Sequence, residues 1–183
     1  MEYSLKNGKA VNIREPNIDD AAGIISVMTA ADTETLFLAR NPGEFCTSVE
    51  NEKNIIDGVL KNPNCTWFVA EYDGEIVGQC SVGLVRSYQR YRHRAEVAFV
   101  ILKEFWNIGI GGKMMLECLK WCMDNSVSQV ELDVVTTNEK ALKMYKNFGF
   151  EVVGTIPNAL KYADDQYADD QYADEYMMVK ILS

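Results

Sequence analysis

The residues with the clearest chemistry lie between positions 97 and 113. An apolar run, Val97-Ala98-Phe99-Val100-Ile101-Leu102, leads through Lys103-Glu104-Phe105-Trp106 into Asn107-Ile108-Gly109-Ile110-Gly111-Gly112-Lys113. Read as a strand, a short turn and a glycine-rich helix start, this segment offers unpaired N–H groups and the positive end of a helix dipole to an anion. Glycines there let the anion approach the backbone closely. A phosphate site over Asn107 to Gly112 is therefore expected. A Walker loop would need glycine at 107 and Ser or Thr at 114, where Asn107 and Met114 stand. A dinucleotide G-x-G-x-x-G opened at Gly109 fails at Met114 as well. The competing reading is a helix start whose glycines serve packing alone.

Acid–base chemistry has few carriers. The chain holds one histidine, His93, set in Arg90-Tyr91-Arg92-His93-Arg94. Among so many cations it reads as a solvated loop residue. The arginine cluster (Arg86, Arg90, Arg92, Arg94) reads the same way, with an anionic partner as the alternative. Carboxylates, Tyr, Cys, Lys or backbone amides must do the work instead. Glu96 opens the strand that feeds the glycine loop and shares a face with Ala98 and Val100. Asp133 stands on the next predicted strand, where Val130, Leu132 and Val134 alternate with Glu131 and Asp133. Each has a plainer reading as an exposed or salt-bridged strand carboxylate. Tyr145, on a later amphipathic helix, has a plainer reading as a core tyrosine. Cys118 and Cys122 lie four apart on a helical stripe, which favours packing over metal or redox use.

Around these residues the pattern alternates between strand and helix. A short strand is expected at Ala10 to Arg14 and a helix from about Pro16 to Ala31, then a second helix from Thr47 to Leu60. Strands at Thr66 to Tyr72 and Glu75 to Val85 join at Asp73-Gly74, a hairpin signal. A long strand follows at Tyr91 to Leu102, and a helix over Gly109 to Asn125 with Ile110, Met114, Cys118 and Trp121 or Cys122 on one stripe. After the strand Gln129 to Val135 comes a helix over Asn138 to Phe148, closed by Gly149. Phe150 to Gly154 and Tyr176 to Leu182 end the chain as strands. The order β-α-α-β-β-β-α-β-α-β-β makes an α/β protein with a mixed sheet.

The length of 183 residues suggests one domain, 1–183. With 48% hydrophobic and 25% charged residues the composition is globular. No stretch approaches the ~20 apolar residues of a membrane span, and the N-terminus lacks a signal core, so no membrane partner is expected. Five cysteines without a C-x-x-C pair read as reduced thiols in a cytoplasmic protein. The net charge of −9 argues against a nucleic-acid partner. Two thirds of that charge sits in residues 162–175, a tandem YADDQ-YADDQ-YADE repeat with six carboxylates. It is expected as a loop between the last two strands, and as a duplication the fold tolerates, since lengthening an exposed loop costs little. Electrostatic steering of a cationic substrate is the alternative.

Gly109-Ile110-Gly111 resembles the acetyl-CoA pyrophosphate loop of the GNAT N-acetyltransferase superfamily. Asn138-Glu139-Lys140-Ala141-Leu142-Lys143-Met144-Tyr145-Lys146-Asn147-Phe148-Gly149-Phe150 resembles that superfamily's second signature, N-x-x-A-x-x-x-Y-x-x-x-G-F. The order of elements from about residue 10 to 182 is similar as well. One departure is Trp106, where the loop usually has Gln or Arg; branches resembling ribosomal-protein N-acetyltransferases share it. The resemblance implies a GNAT-like fold, with a central mixed, mostly antiparallel sheet flanked by about four helices. It implies acetyl-CoA as cosubstrate, with no metal. The pantetheine arm would lie along Phe99, Val100 and Ile101. The amides of Asn107, Ile108, Gly109, Ile110, Gly111 and Gly112 would hold the pyrophosphate. Asn138 would contact the arm or fix its helix, and Tyr145 would stand near the sulfur as cofactor contact and general acid. Glu96 or Asp133 is then a general base, with water as the alternative. The acceptor would be a primary amine, whether a protein N-terminus, a polyamine, an amino sugar or another small amine, with Glu34 to Arg40 as its wall. The reaction would be direct transfer in a ternary complex, against the alternative of a non-catalytic acetyl-CoA sensor. A homodimer through the C-terminal strands is a further expectation.

Overall fold

The computed structural model describes residues 1–162 and 172–182. Among these, the strands are β1 (Glu2–Ser4), β2 (Ala10–Arg14), β3 (Cys65–Tyr72), β4 (Glu75–Leu84), β5 (Arg94–Ile101), β6 (Gln129–Val135), β7 (Glu151–Lys161) and β8 (Tyr172–Ile181). They form one sheet in the order β1-β2-β3-β4-β5-β6-β8-β7. Every pairing is antiparallel except β5 with β6. Four helices, α1 (Ala21–Glu34), α2 (Val49–Leu60), α3 (Ile110–Asp124) and α4 (Glu139–Asn147), cover it.

Strand alternation sorts the residues onto two faces. Cys80, Val82, Ala95, Val97, Val130, Leu132 and Val134 point to one face. They bury there against Ile110, Met114, Met115 and Cys118 of α3 and Leu142 and Tyr145 of α4. Val69 and the half-buried Trp67 point to the other face, against Ala21 and Ile24 of α1 and Ile56 of α2. Register then places Glu96, Ala98 and Val100 on the α1–α2 face, opposite Gly83, Ser81 and Gln79. Phe99 is on the α3–α4 face, opposite Cys80.

The helix starts follow capping chemistry. Asn17 and Asp20 form a reciprocal capping box around a 3-10 turn at Ile18–Asp20, so α1 itself opens at Ala21, later than the expected start near Pro16. The Ser48 side chain accepts from Asn51 N–H at 3.1 Å to open α2. Asn138 does the same for α4, accepting from Ala141 N–H at 3.2 Å.

Four further boundaries differ from the sequence reading. β1 was not expected; it is three residues long, too short for any alternation to register. The predicted strand from Tyr91 begins only at Arg94, because Gln89–Tyr91 form a 3-10 turn. β7 runs to Lys161, well past Gly154. As an edge strand it accommodates Pro157, where its register with β8 shifts between Ile156 and Leu160. Within that shift Asn158 takes φ 55° and donates its N–H to the Asp174 carboxylate at 2.8 Å. β8 starts at Tyr172, so Tyr172 to Glu175, the repeat's third unit, is strand paired with β7 and not loop. Residues 163–171 of the repeat lie outside the described residues.

Candidate active site

The site exists because β5 and β6 part company. They pair in parallel only at Arg94–Glu96 against Gln129–Glu131. Beyond that point β5 continues to Ile101 against β4, and β6 to Val135 against β8. The wedge between them opens a cavity of about 1380 Å³ that reaches both faces of the sheet. Every predicted site residue lines it: Glu96, Phe99, Val100, Ile101, Asn107 to Gly112, Asp133, Asn138 and Tyr145. So do Phe37, Leu38 and Ala39, from the predicted acceptor wall.

Backbone direction decides which groups face the wedge. Leu102 donates its N–H to Val77 O and Arg94 O accepts from Val85 N–H, so the even-numbered peptide groups of β5 turn to β4. In an antiparallel ladder the alternate residues then turn away. The peptide groups of Val97, Phe99 and Ile101 therefore border the wedge. Val100, expected as a backbone contact, faces β4 with its peptide groups and lends the cavity only its side chain. One wedge carbonyl is already occupied, since the Trp106 indole N–H donates to Ile101 O at 2.7 Å. The departure from the usual loop residue thus closes the mouth end of β5. Lys140, on the first turn of α4, lies over the same indole at 5.3 Å.

The glycine loop has the strain an anion cradle needs. Asn107 has φ 64° and Gly109, the residue that caps α3, has φ 110°. Left-handed backbone at these positions turns successive N–H groups toward a common point. A Cβ on Gly109 would find only Leu5 at 3.9 Å. Gly111 differs: its Cβ would meet Met144 Sδ at 3.0 Å and Ile101 at 3.3 Å. This glycine lets α3 and α4 pack closely, so both readings offered for the loop, anion approach and packing, apply to different glycines. Lys6 and Lys113 border the loop. The turn after β1 is tied to it by Lys6 N–H donating to Ile108 O at 3.1 Å.

Tyr145 is buried on the α3–α4 face between Phe99 and Phe150, with ring centroids 6.2 and 5.9 Å away. Its hydroxyl has no hydrogen-bond partner among the described residues, and none of their buried side-chain polar atoms is both sealed off and unpaired. The hydroxyl therefore opens to the cavity that Tyr145 lines. Burial, then the neighbouring Cys118 and Cys80, push its pKa well above the phenol value. The Cys80 and Cys118 sulfurs touch at 3.5 Å in the packed core, and the Cys118 thiol is raised by that contact and by burial. These are inert packing thiols.

On the opposite face the wedge is acidic. Glu96 is exposed and forms no ion pair among the described residues. Glu131 is clamped by Arg94 through both guanidinium arms, one of them at 2.7 Å, and also accepts from Gln129 at 2.9 Å. Its carboxyl is held low, first by the Arg94 hydrogen bond. Arg94 is thus a strand residue with a fixed partner, unlike the solvated loop residue expected. Asp133 has no such partner, and its pKa is raised by burial and by Glu131. Glu175, missed because it was read as loop, lines the same cavity and is raised by burial and by Asp133. The wall between α1 and α2 is held by a bidentate pair from Arg40 to the buried Asp32, at 3.0 and 2.8 Å. The Tyr162 hydroxyl donates to Leu36 O at 2.9 Å.

Residues 30–150 match the acetyltransferase (GNAT) family, and the chain belongs to that family. It is 34% identical over 95 residues to an L-amino acid N-acetyltransferase of Escherichia coli K12, covering 51% of this chain and 57% of that protein. It is 25% identical over 175 residues to an N-alpha-acetyltransferase of Sulfurisphaera tokodaii, covering 91% of this chain and 95% of that one. A solved GNAT acetyltransferase from Streptococcus pneumoniae superposes with TM-score 0.85 at 23% identity, over 94% of this chain and 99% of the other. A phosphinothricin acetyltransferase from Sinorhizobium meliloti, solved with acetyl-CoA, gives TM-score 0.78 at 16% identity, over 94% and 88%. The fold is the GNAT fold, the chain is an N-acetyltransferase of that class, and its acetyl donor is acetyl-CoA. Among the described residues no three His, Cys, Asp or Glu side chains gather as a metal site, and no helix is long and apolar enough to cross a membrane.

Proposed function

We propose that the protein moves an acetyl group from acetyl-CoA directly to a primary amine, both bound at once across the β5–β6 wedge. One observation carries this. The wedge joins a tyrosine hydroxyl on one face to carboxylates on the other, none of them with a hydrogen-bond or ion-pair partner among the described residues, beside a glycine loop suited to pyrophosphate. The cosubstrate supplies an acyl carbon activated by its sulfur. The protein supplies position and protons. The N–H groups of Asn107 to Gly112 hold the pyrophosphate. The outward peptide groups of Val97 and Phe99 line the reacting segment and offer N–H donors to the acyl oxygen. Holding both reactants in line supplies much of the rate.

In the transfer the amine nitrogen gains a bond to the acyl carbon and the carbon–sulfur bond breaks. The sulfur takes one proton and the nitrogen loses one. Tyr145 is the donor to sulfur: burial keeps it protonated, and its hydroxyl is uncommitted. Glu96 receives the amine proton, directly or through water, because it is exposed on the acceptor face and unpaired. Asp133 is the second base candidate; its raised pKa suits a proton acceptor, but it stands farther along the wedge. Relatives are named for amino acids and for protein N-terminal amines, which supports an amine acceptor. The sensor alternative finds no support in family or relatives.

The test is release of free CoA thiol from acetyl-CoA over a panel of amines, alongside calorimetric titration of acetyl-CoA. Binding with turnover on at least one amine is expected. Binding with no turnover on any amine would restore the sensor reading.

A further inference from the structure

We propose that Tyr162 is a specificity-determining residue of the transferase: its hydroxyl holds the acceptor wall at Leu36 and so sets the size of amine that the acceptor side admits. This rests on the acetyltransfer reading and on Glu34 to Arg40 as that wall.

The wall has little structure of its own. Between the end of α1 at Glu34 and the start of α2 at Val49 there is no helix or strand. A segment without its own backbone ladder stands where its ties to other elements put it. Among the described residues, two polar ties reach residues 35–40 from outside that segment. One is the bidentate pair from Arg40 to Asp32, a buried residue near the end of α1. The other is the Tyr162 hydroxyl, which donates to Leu36 O at 2.9 Å from 126 residues away.

The Tyr162 end of that tie is firmly based. Tyr162 directly follows β7, whose last residues, Leu160 and Lys161, pair with Ala173 and Tyr172 of β8. Only 6% of Tyr162 is exposed, so its ring is packed and its hydroxyl is aimed. It is also the first residue of the tandem repeat, a segment to which the transfer itself gives no part.

What lies behind the wall decides the consequence. A second cavity, of about 210 Å³, lies between the wall and the end of β7, with Leu36 and Arg40 on one side and Leu160 and Tyr162 on the other. Thr35, Leu38 and Ala39 line both this cavity and the wedge. The wall is therefore a partition a single segment thick. A close-packed interior would hold such a segment from both sides. Here the space behind lets Leu38 and Ala39 retreat once a tie is released, and the acceptor side widens. The two ties differ in what else they hold. Loss of Arg40 would strand the buried Asp32 carboxylate and burden the whole fold. Loss of the Tyr162 hydroxyl releases the partition alone. Tyr162 is thus a positioning residue, acting on the acceptor through Leu36 and its neighbours.

The experiment compares the full chain with Tyr162→Phe, which keeps the ring and removes the hydroxyl. Acceptors are paired by size, n-propylamine against 2-phenylethylamine and a glycyl against a phenylalanyl peptide, each with saturating acetyl-CoA. In the pair that is turned over, the bulky-to-small ratio of kcat/KM is expected to rise about three- to tenfold, the factor that one hydrogen bond commands. The change should lie in KM, with kcat and acetyl-CoA affinity nearly unchanged. Leu38→Ala thins the same partition and should move the ratio the same way. Trypsin reads the wall directly: cleavage after Arg40 should quicken in Tyr162→Phe by a similar factor. An unchanged size ratio in Tyr162→Phe overturns the proposal even where cleavage is faster, because the hydroxyl then steadies the loop without setting acceptor size. A fall in kcat with KM unchanged overturns it too, since that places Tyr162 in the chemistry and not behind the wall. If the unmodified chain uses none of the four acceptors, the transfer reading fails and the specificity role falls with it, while the tryptic rates still show whether the hydroxyl holds Leu36.

Discussion

Tyr145 carries the sharpest residue-level expectation. Tyr145→Phe keeps the ring between Phe99 and Phe150 and removes only the hydroxyl. Turnover should fall by ~10²–10⁴, the range for a lost general acid, with acetyl-CoA affinity nearly unchanged. Near-normal turnover, with the chemical step rate-limiting, would return Tyr145 to a packing role. A tyrosine four residues before Gly149 was readable because a repeated family spacing marks it. Glu175 was not, because it sits inside a repeat whose composition looks like loop. Its importance comes from pairing across strands, which local pattern does not carry. Trp106 was noticed as a departure, but its hydrogen bond to Ile101 O needs the turn at Lys103–Phe105 to bring the indole back over the strand. Arg94 was grouped with its neighbours by charge, whereas its role is fixed by Glu131, 37 residues away.

At the scale of elements, α3 and α4 meet at Gly111. Gly111→Val would force a branched side chain against Met144 and Ile101. The cost should appear first as lower stability, on the order of the 1–3 kcal/mol typical of overpacking. Weaker acetyl-CoA binding should follow, because α4 carries Asn138 and Tyr145 and would shift as a unit. Chemical denaturation and calorimetry on the same variant read both. Loss of affinity with stability unchanged would mean that the side chain meets the cosubstrate and not the helix. Helices were the legible elements here. Their stripes, caps and the Gly149 stop set α3 and α4 within a residue or two. The ends of β7 and β8 were not, since Gly154, Pro157 and the acidic run all look like chain breaks, and an edge strand tolerates what a central strand would refuse.

Across the whole molecule, the unneutralised wall opposes folding. Glu175 has a folded-state pKa above its ordinary value through burial and Asp133. A raised carboxyl means that the folded chain binds a proton more tightly than the unfolded one. Its penalty is therefore absent below the ordinary Glu range and grows as pH rises through and above it. Glu175→Gln should raise Tm at pH 7 by about 1–2 °C, a few tenths of a kcal/mol for a chain this size. The difference should vanish below about pH 4. A Tm gain that persists at acid pH would point to packing instead of charge. The Arg94–Glu131 clamp has the opposite sign. Glu131 is held low by its guanidinium partner, so the clamp contributes above the ordinary carboxylate range and is lost as pH falls through the lowered value. The sheet is thus fastened where its two parallel strands meet and electrostatically loaded where they part, a common bargain between stability and activity.

The parting of β5 and β6 also sets the traffic through the molecule. The cavity is walled on one face by α3, α4 and the glycine loop, and on the other by Phe37, Leu38 and the row of carboxylates. Under the proposed transfer, donor and acceptor would arrive from opposite sides of a sheet only one strand thick, so neither would block the other's path. The spent carrier and the acetylated product would then leave by the sides from which they came. Turnover then needs no large opening of the fold, only the exchange of molecules through a breach built into the sheet.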